Sequence, residues 1–182
     1  ITPYARTGVL HSMITGDIGK ENIRILSKEH YIDLIKPYFI VGVADLAYIG
    51  GKSGDAENHG DGLEEIFQVM ADAFSTDEIR IVSYFRDSSH AFLIANVENE
   101  EPMDQLFYQI HKYLCTALGQ DQYAVTMGVD ILREDINELQ EACEGAMTAL
   151  DGILTDGRGE VYFLEENTKK WYTYTNARPV FY

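Results

Sequence analysis

Basic residues are scarce: 14 Lys and Arg stand against 30 Asp and Glu in 182 residues, a formal charge of −16. Nucleic-acid binding rests on basic patches that displace counterions, and no such patch is present. The same deficit disfavours an anionic membrane surface. Cysteine is nearly lacking too. Cys115 and Cys143 are too few for a disulfide framework, and both lie inside helical patterns. They read as buried, reduced thiols of a cytoplasmic protein. No apolar run approaches the roughly 18 residues of a membrane span, and no basic-then-apolar leader opens the chain. Internal repeats and low-complexity tracts are missing as well. Beginning at Ile1 and ending on Pro179-Val180-Phe181-Tyr182, the chain reads as a piece of something longer.

What is present is ample core material, 46% hydrophobic and 12% aromatic. That excludes disorder for most of the chain and suits one domain with an N-terminal extension. The organising stretch is Ile79 to Asn96. There the runs IRIVSYF and HAFLIAN flank Arg86-Asp87-Ser88-Ser89, the pattern of two strands joined by a tight turn. Asp and Ser suit such corners because their side chains bond the nearby backbone.

Before the hairpin, Tyr4 to Ile14 is helical, with Val9, Leu10, Met13 and Ile14 on one side. A second helical pattern runs from Glu21 to Ile35, and Pro37 stops it. Tyr38 to Ala44 is apolar throughout, as a strand covered on both faces must be, and Asp45 stands at its end. Gly50 to Gly62 reads as an exposed loop. Leu63, Ile66, Phe67, Met70 and Phe74 then form a one-faced helix. After the hairpin, Pro102 suits the first turn of a helix striped by Met103, Leu106, Phe107, Ile110 and Leu114, and Gly119 stops it. Tyr123 to Val129 alternates like a strand. Asp135 with Glu138 resembles a capping box, opening a helix that turns Ile136, Leu139, Cys143, Ala146, Leu150 and Ile153 inward. Gly157 and Gly159 close it, Val161 to Leu164 is a short strand, and the aromatic tail (Trp171 to Tyr174, then Pro179 to Tyr182) suits an edge strand. The fold class expected is α+β, a single mostly antiparallel sheet with helices packed on it.

This order resembles the GGDEF domain, the diguanylate cyclase relative of nucleotidyl cyclases, from about Tyr38 to Glu165. FIVGVAD is similar to that family's first strand, which ends in a metal-binding aspartate. YFRDSSHAFLIAN is similar to the hairpin bearing its signature, and YAVTMGVDILREDINELQEACEGAMTALDGILTDGRGEVYFLEE to its closing strand, helix and strand. The resemblance implies a ferredoxin-like, cyclase-type core. The signature itself is replaced: Arg86, Asp87, Ser88, Ser89 and His90 stand where Gly-Gly-Asp-Glu-Phe belongs. Side chains thus fill the place of bare backbone, and two hydroxyls replace the acids that hold the cation. Asp45 alone survives as a vestigial metal position, and one carboxylate does not build a two-metal site. The family's inhibitory Arg-x-x-Asp is also missing, Asp77-Glu78-Ile79-Arg80 lying there.

The whole chain more closely resembles the degenerate middle module of bacterial AraC-type, YesN-like regulators. In them such a module separates a sensory part from helix-turn-helix motifs. KKWYTYTNARPVFY is similar to the connector leading there. The resemblance implies residues 1–37 as a helical extension, 38–165 as the degenerate module and 166–182 as a connector. It implies no catalysis, cofactor or metal, a homodimer as partner, and flanking sensor and DNA-binding domains outside this fragment. A small ligand, a nucleotide among them, in a remnant pocket is the alternative.

Other patterns carry less. Gly51-Lys52-Ser53 lacks the first glycine of a phosphate loop, Leu46 standing in its place. Asp55, Glu57, His59 and Gly60 mimic half a calcium loop, yet Ile66 holds the position of its bidentate Glu. His59 with Glu57 and Asp61 reads as solvated charge. No histidine pair has metal-ligand spacing on a helix, and His90 and His111 read as structural or exposed. Ser88-Ser89-His90 is no nucleophile-and-base pair, because neighbours on a strand point to opposite faces. Tyr172, Tyr174, Tyr182 and Trp171 suit a contact surface.

Overall fold

The structure is a computed structural model that describes residues 3–16, 34–51, 62–101, 103–165 and 171–173. Its elements in chain order are α1 (Pro3–Thr15), β1 (Tyr38–Tyr48), α2 (Leu63–Phe74), β2 (Ile79–Phe85), β3 (His90–Val97), α3 (Asp104–Leu118), β4 (Tyr123–Val129), α4 (Leu139–Ala149), α5 (Ile153–Asp156), β5 (Val161–Leu164) and β6 (Trp171–Thr173). The six strands make one sheet in the order β2-β3-β1-β4-β5-β6. Every neighbouring pair is antiparallel except β4 with β5, between which α4 crosses over. This is the α+β arrangement expected, with a mostly antiparallel sheet. Of the aromatic tail, Trp171–Thr173 forms its outer strand.

Helices cover both faces. On one face Phe67 and Met70 of α2 and Phe107, Ile110 and Leu114 of α3 pack onto Ile40, Ala44 and Leu46 of β1 and Leu93 of β3. On the other, Leu10, Met13 and Ile14 of α1 and Leu139, Ala142, Cys143 and Ala146 of α4 pack onto Phe39, Val41, Val43, Phe92 and Ile94. That is why β1 is apolar at every position from Phe39 to Ala44: alternate side chains feed alternate cores. Burying one side chain of this size is worth about 1.5–3 kcal/mol.

Several details depart from expectation. β1 does not end before Asp45 but runs on to Tyr48, because the ladder with β4 extends to Tyr48↔Tyr123. Asp45 is therefore an interior strand residue, buried between His90 and Thr126 in register. The capping box is not made. Asp135 accepts from Asn137 N–H at 3.0 Å, the first turn is a 3-10 turn, and Glu138 turns away to Arg133. Cys143 is buried but Cys115 only partly, and both are free thiols. The helical pattern expected over Glu21 to Ile35 lies outside the described residues except for Leu34 and Ile35, which are not helical. Pro102, the loop from Lys52 to Asp61 with its phosphate-loop and calcium-loop look-alikes, and Tyr174 with Pro179–Tyr182 fall outside them altogether. No helix among the described residues is long and apolar enough to cross a membrane.

Candidate functional site

The turn between β2 and β3 closes with Arg86 N–H donating to His90 C=O at 2.9 Å. Asp87 shapes it: Oδ1 accepts the Ser89 N–H at 2.8 Å, the self-bonding that suits Asp to corners. The tip then docks on the middle strand, where Leu46 N–H donates to Ser89 C=O at 2.8 Å. Arg86 folds back onto Asp87 at 3.3 Å, and Ser88 is exposed.

This docking gathers residues from four separate stretches. Asp45 lies directly across the ladder from His90, and His90 Nε2 is 3.0 Å from its Oδ2. The other ring nitrogen, Nδ1, is 3.0 Å from Asp87 Oδ1. Arg158 reaches the second Asp45 oxygen, its guanidinium donating to Oδ1 at 2.5 Å. Behind them Thr126, fully buried and in register with Asp45, accepts the Gly159 N–H at 2.9 Å. Gly157 and Gly159 adopt φ of 87° and 98°, left-handed corners that favour glycine, and so present Arg158 to the strand ends.

The charges are thereby matched inside the protein. Burial works against a charge on Asp87, but the Ser89 N–H, the His90 ring and the Ser89 hydroxyl outweigh it and hold the carboxyl well below its usual range. Both Asp45 oxygens face protein cations or donors. A hard divalent cation asks for six or more oxygens, whereas here one carboxylate is paired and the other is turned back into its own loop. Among the described residues no group of three or more His, Cys, Asp or Glu is placed to hold a metal.

The structure thus brings together Asp45, Asp87, Ser89 and His90 from the predicted set and leaves Arg86 and Ser88 at the exposed rim. One expectation needs correction. Ser89 sits in the turn, not on the strand, and its Oγ comes within 3.3 Å of His90 Nδ1, so the opposite-faces argument does not separate them. That nitrogen is shared with Asp87, which leaves Ser89 no unencumbered base. His111 is structural as expected: its Nε2–H donates to Val125 C=O at 2.8 Å.

Sequence reading missed Arg158. The available signal was modest, a lone basic residue between two glycines in an acidic stretch. It also missed a second ionic centre on the α4 face. There Asp130, its side chain fully buried, takes Arg133 Nε at 2.6 Å, and Arg133 continues to Glu138 at 2.9 Å. Burial raises the Asp130 carboxyl's pKa despite the guanidinium beside it.

No family model matches the chain. Over 157 residues it is 25% identical to UTP–glucose-1-phosphate uridylyltransferase 2 of Staphylococcus saprophyticus, a stretch amounting to 84% of this chain and 53% of that protein. The chain therefore spans about half the length of this curated relative.

Proposed function

We propose that the chain is a non-catalytic regulatory module, a degenerate cyclase-like domain that relays state or holds a dimer within a bacterial AraC-type transcriptional regulator. The observation that carries the non-catalytic reading is the pairing of Asp45 with Arg158 and His90. Phosphoryl-transfer sites need cations to neutralise developing charge on phosphate oxygens. Here the protein's own guanidinium and imidazole occupy the carboxylate that would bind such a cation. Side chains from Arg86 to Ser89 also stand over the corner where a phosphate would need open backbone. The order of strands around the hairpin supports a cyclase-like ancestry. Signal would pass as a packing shift between the module and separate DNA-binding parts, biasing one of two arrangements.

The test uses a chain extended through its natural reading frame. Two helix-turn-helix segments downstream, and no product from GTP with Mg²⁺, are the expected results. GTP turnover, or a DNA shift by residues 1–182 alone at moderate salt, overturns the reading.

A second reading is a sensor for a small ligand, a nucleotide in the remnant pocket. The likeness to a protein whose name gives UTP as its substrate favours it. Calorimetry with UTP, GTP and cyclic di-GMP separates the two, and absence of heat at millimolar concentration removes the second.

A further inference from the structure

β2 is an outer strand of the sheet, and among the described residues its free side is capped only around Ile79 and Ile81. Arg86 and His90 form a hydrogen-bonded pair at the turn, and Glu98 N–H donates to Glu78 C=O at the other end. Alternation in an antiparallel ladder then turns the backbone groups of Ile79, Ile81, Ser83 and Phe85 outward. Both groups of Ile79 and the Ile81 N–H are capped locally. Thr76 N–H donates to Ile79 C=O at 2.7 Å, Thr76 Oγ1 accepts the Ile79 N–H, and Ser75 Oγ accepts the Ile81 N–H at 3.0 Å. Among the described residues no such cap reaches Ser83 or Phe85. Instead a cleft of about 390 Å³ opens beside them. It is lined by Ser83, Tyr84 and Phe85 of β2, Leu10 of α1, and Glu64, Glu65 and Gln68 of α2.

An uncapped edge is a template for strand addition, which natural proteins otherwise suppress. We propose that this cleft receives an extended, basic peptide segment of a partner protein. The segment adds as a strand beside Ser83–Phe85 and sets Lys or Arg side chains against Glu64 and Glu65. Charge decides the occupant. Both glutamates are exposed in the first turn of α2, on a chain of net charge −16. A second copy pairing β2 with β2 would bring like walls together, so a basic partner fits and self-association does not. Main-chain bonds supply affinity without sequence preference, and the acidic wall supplies selection by charge.

The test titrates the full chain with a blocked fluorescent octapeptide, Lys-Val-Thr-Val-Lys-Val-Thr-Lys, and with its Lys→Glu counterpart, in low salt. The basic peptide is expected to bind at least tenfold more tightly than the acidic one and to shift the Ser83 and Phe85 amide resonances. Glu64→Lys with Glu65→Lys reverses the preference. Ser83→Pro removes an outward N–H without touching the β3 ladder, the one setting in which a strand tolerates proline, and abolishes binding. Thermal melts of each variant verify folding. If Ser83→Pro does not fold, a basic peptide N-methylated at alternate residues makes the same test on the native chain. Equal affinity for both peptides, no binding at millimolar peptide, retained binding of the N-methylated peptide, shifts confined to other strands, or peptide-free dimerisation through β2 each overturns the proposal.

Discussion

Asp45 shows how much a single residue's role depends on what the chain folds against it. Its carboxylate is only about an eighth exposed and is held by His90 and Arg158. Removing one partner of a buried charge pair strands the other and costs more than the pair itself contributes. Asp45→Ala, which leaves the Arg158 guanidinium and the His90 ring without their acceptor, is expected to lower stability by about 2 kcal/mol in urea titrations. Arg158→Ala costs less, about 1 kcal/mol, because that side chain is nearly half exposed and water screens it. The double mutant should fall short of the sum, the mark of a direct interaction; strict additivity would remove the pairing. His111 gives a pH signature. Burial lowers its pKa below 6.5, against the smaller raising effects of Val125 C=O and Glu160. The unfolded chain then binds the proton more readily, so stability is full above 6.5 and declines as pH falls toward the lowered folded value. His111→Gln should flatten that acid limb of the urea midpoint. An unchanged slope would place the titration elsewhere. None of these partners was legible from the sequence. Asp45 and His90 are 45 positions apart, and Asp45 and Arg158 are 113 apart, so only strand register and a turn bring them together.

Among the elements, α4 packs tightly against the sheet. A Cβ on Gly128 of β4 would lie 2.2 Å from Ala146 C=O, and one on Gly145 of α4 would lie 2.0 Å from Asp130 Oδ1. The small faces of helix and strand fit because both lack side chains at these points. Gly128→Ala meets backbone, which cannot swing aside, and is expected to cost about 3 kcal/mol by overpacking, read as a lowered denaturant midpoint. The same closeness protects Cys143. Burial, then the charges of Asp130 and Glu144, push its thiol up to about 12, and burial also raises Cys115. Both should react slowly with a disulfide reagent in the native protein and rapidly in urea. Fast labelling of Cys143 under native conditions would mean that α4 does not sit as described. Ala146 was visible in the sequence as part of the inward stripe, whereas the burial of Ala142 and Ala149 beside it was not. The capping box was not realised, because Arg133 offers Glu138 a stronger, charged partner than the Asp135 backbone does.

At the scale of the molecule, two cores share one sheet, and a charge of −16 surrounds them. Self-repulsion of that size opposes compaction and is screened by salt. The melting temperature should therefore rise by several degrees between low salt and about 0.5 M NaCl. A fall would give the ion pairs at Asp45 and Asp130 more weight than the net charge. The sequence by itself determined the elements, since period-two and period-3.6 patterns record which side of each segment meets apolar surroundings. It also determined that β1 lies centrally, because both of its faces are apolar, and that the hairpin tip lacks paired acids. Only the tertiary structure decided that β1 runs past Asp45, that Arg158 and His90 pair with it, and that one stretch of β2 is left uncapped among the described residues. Those outcomes depend on register and on turns between distant segments. Local hydrophobic patterning carries no information about which charges such turns will bring face to face.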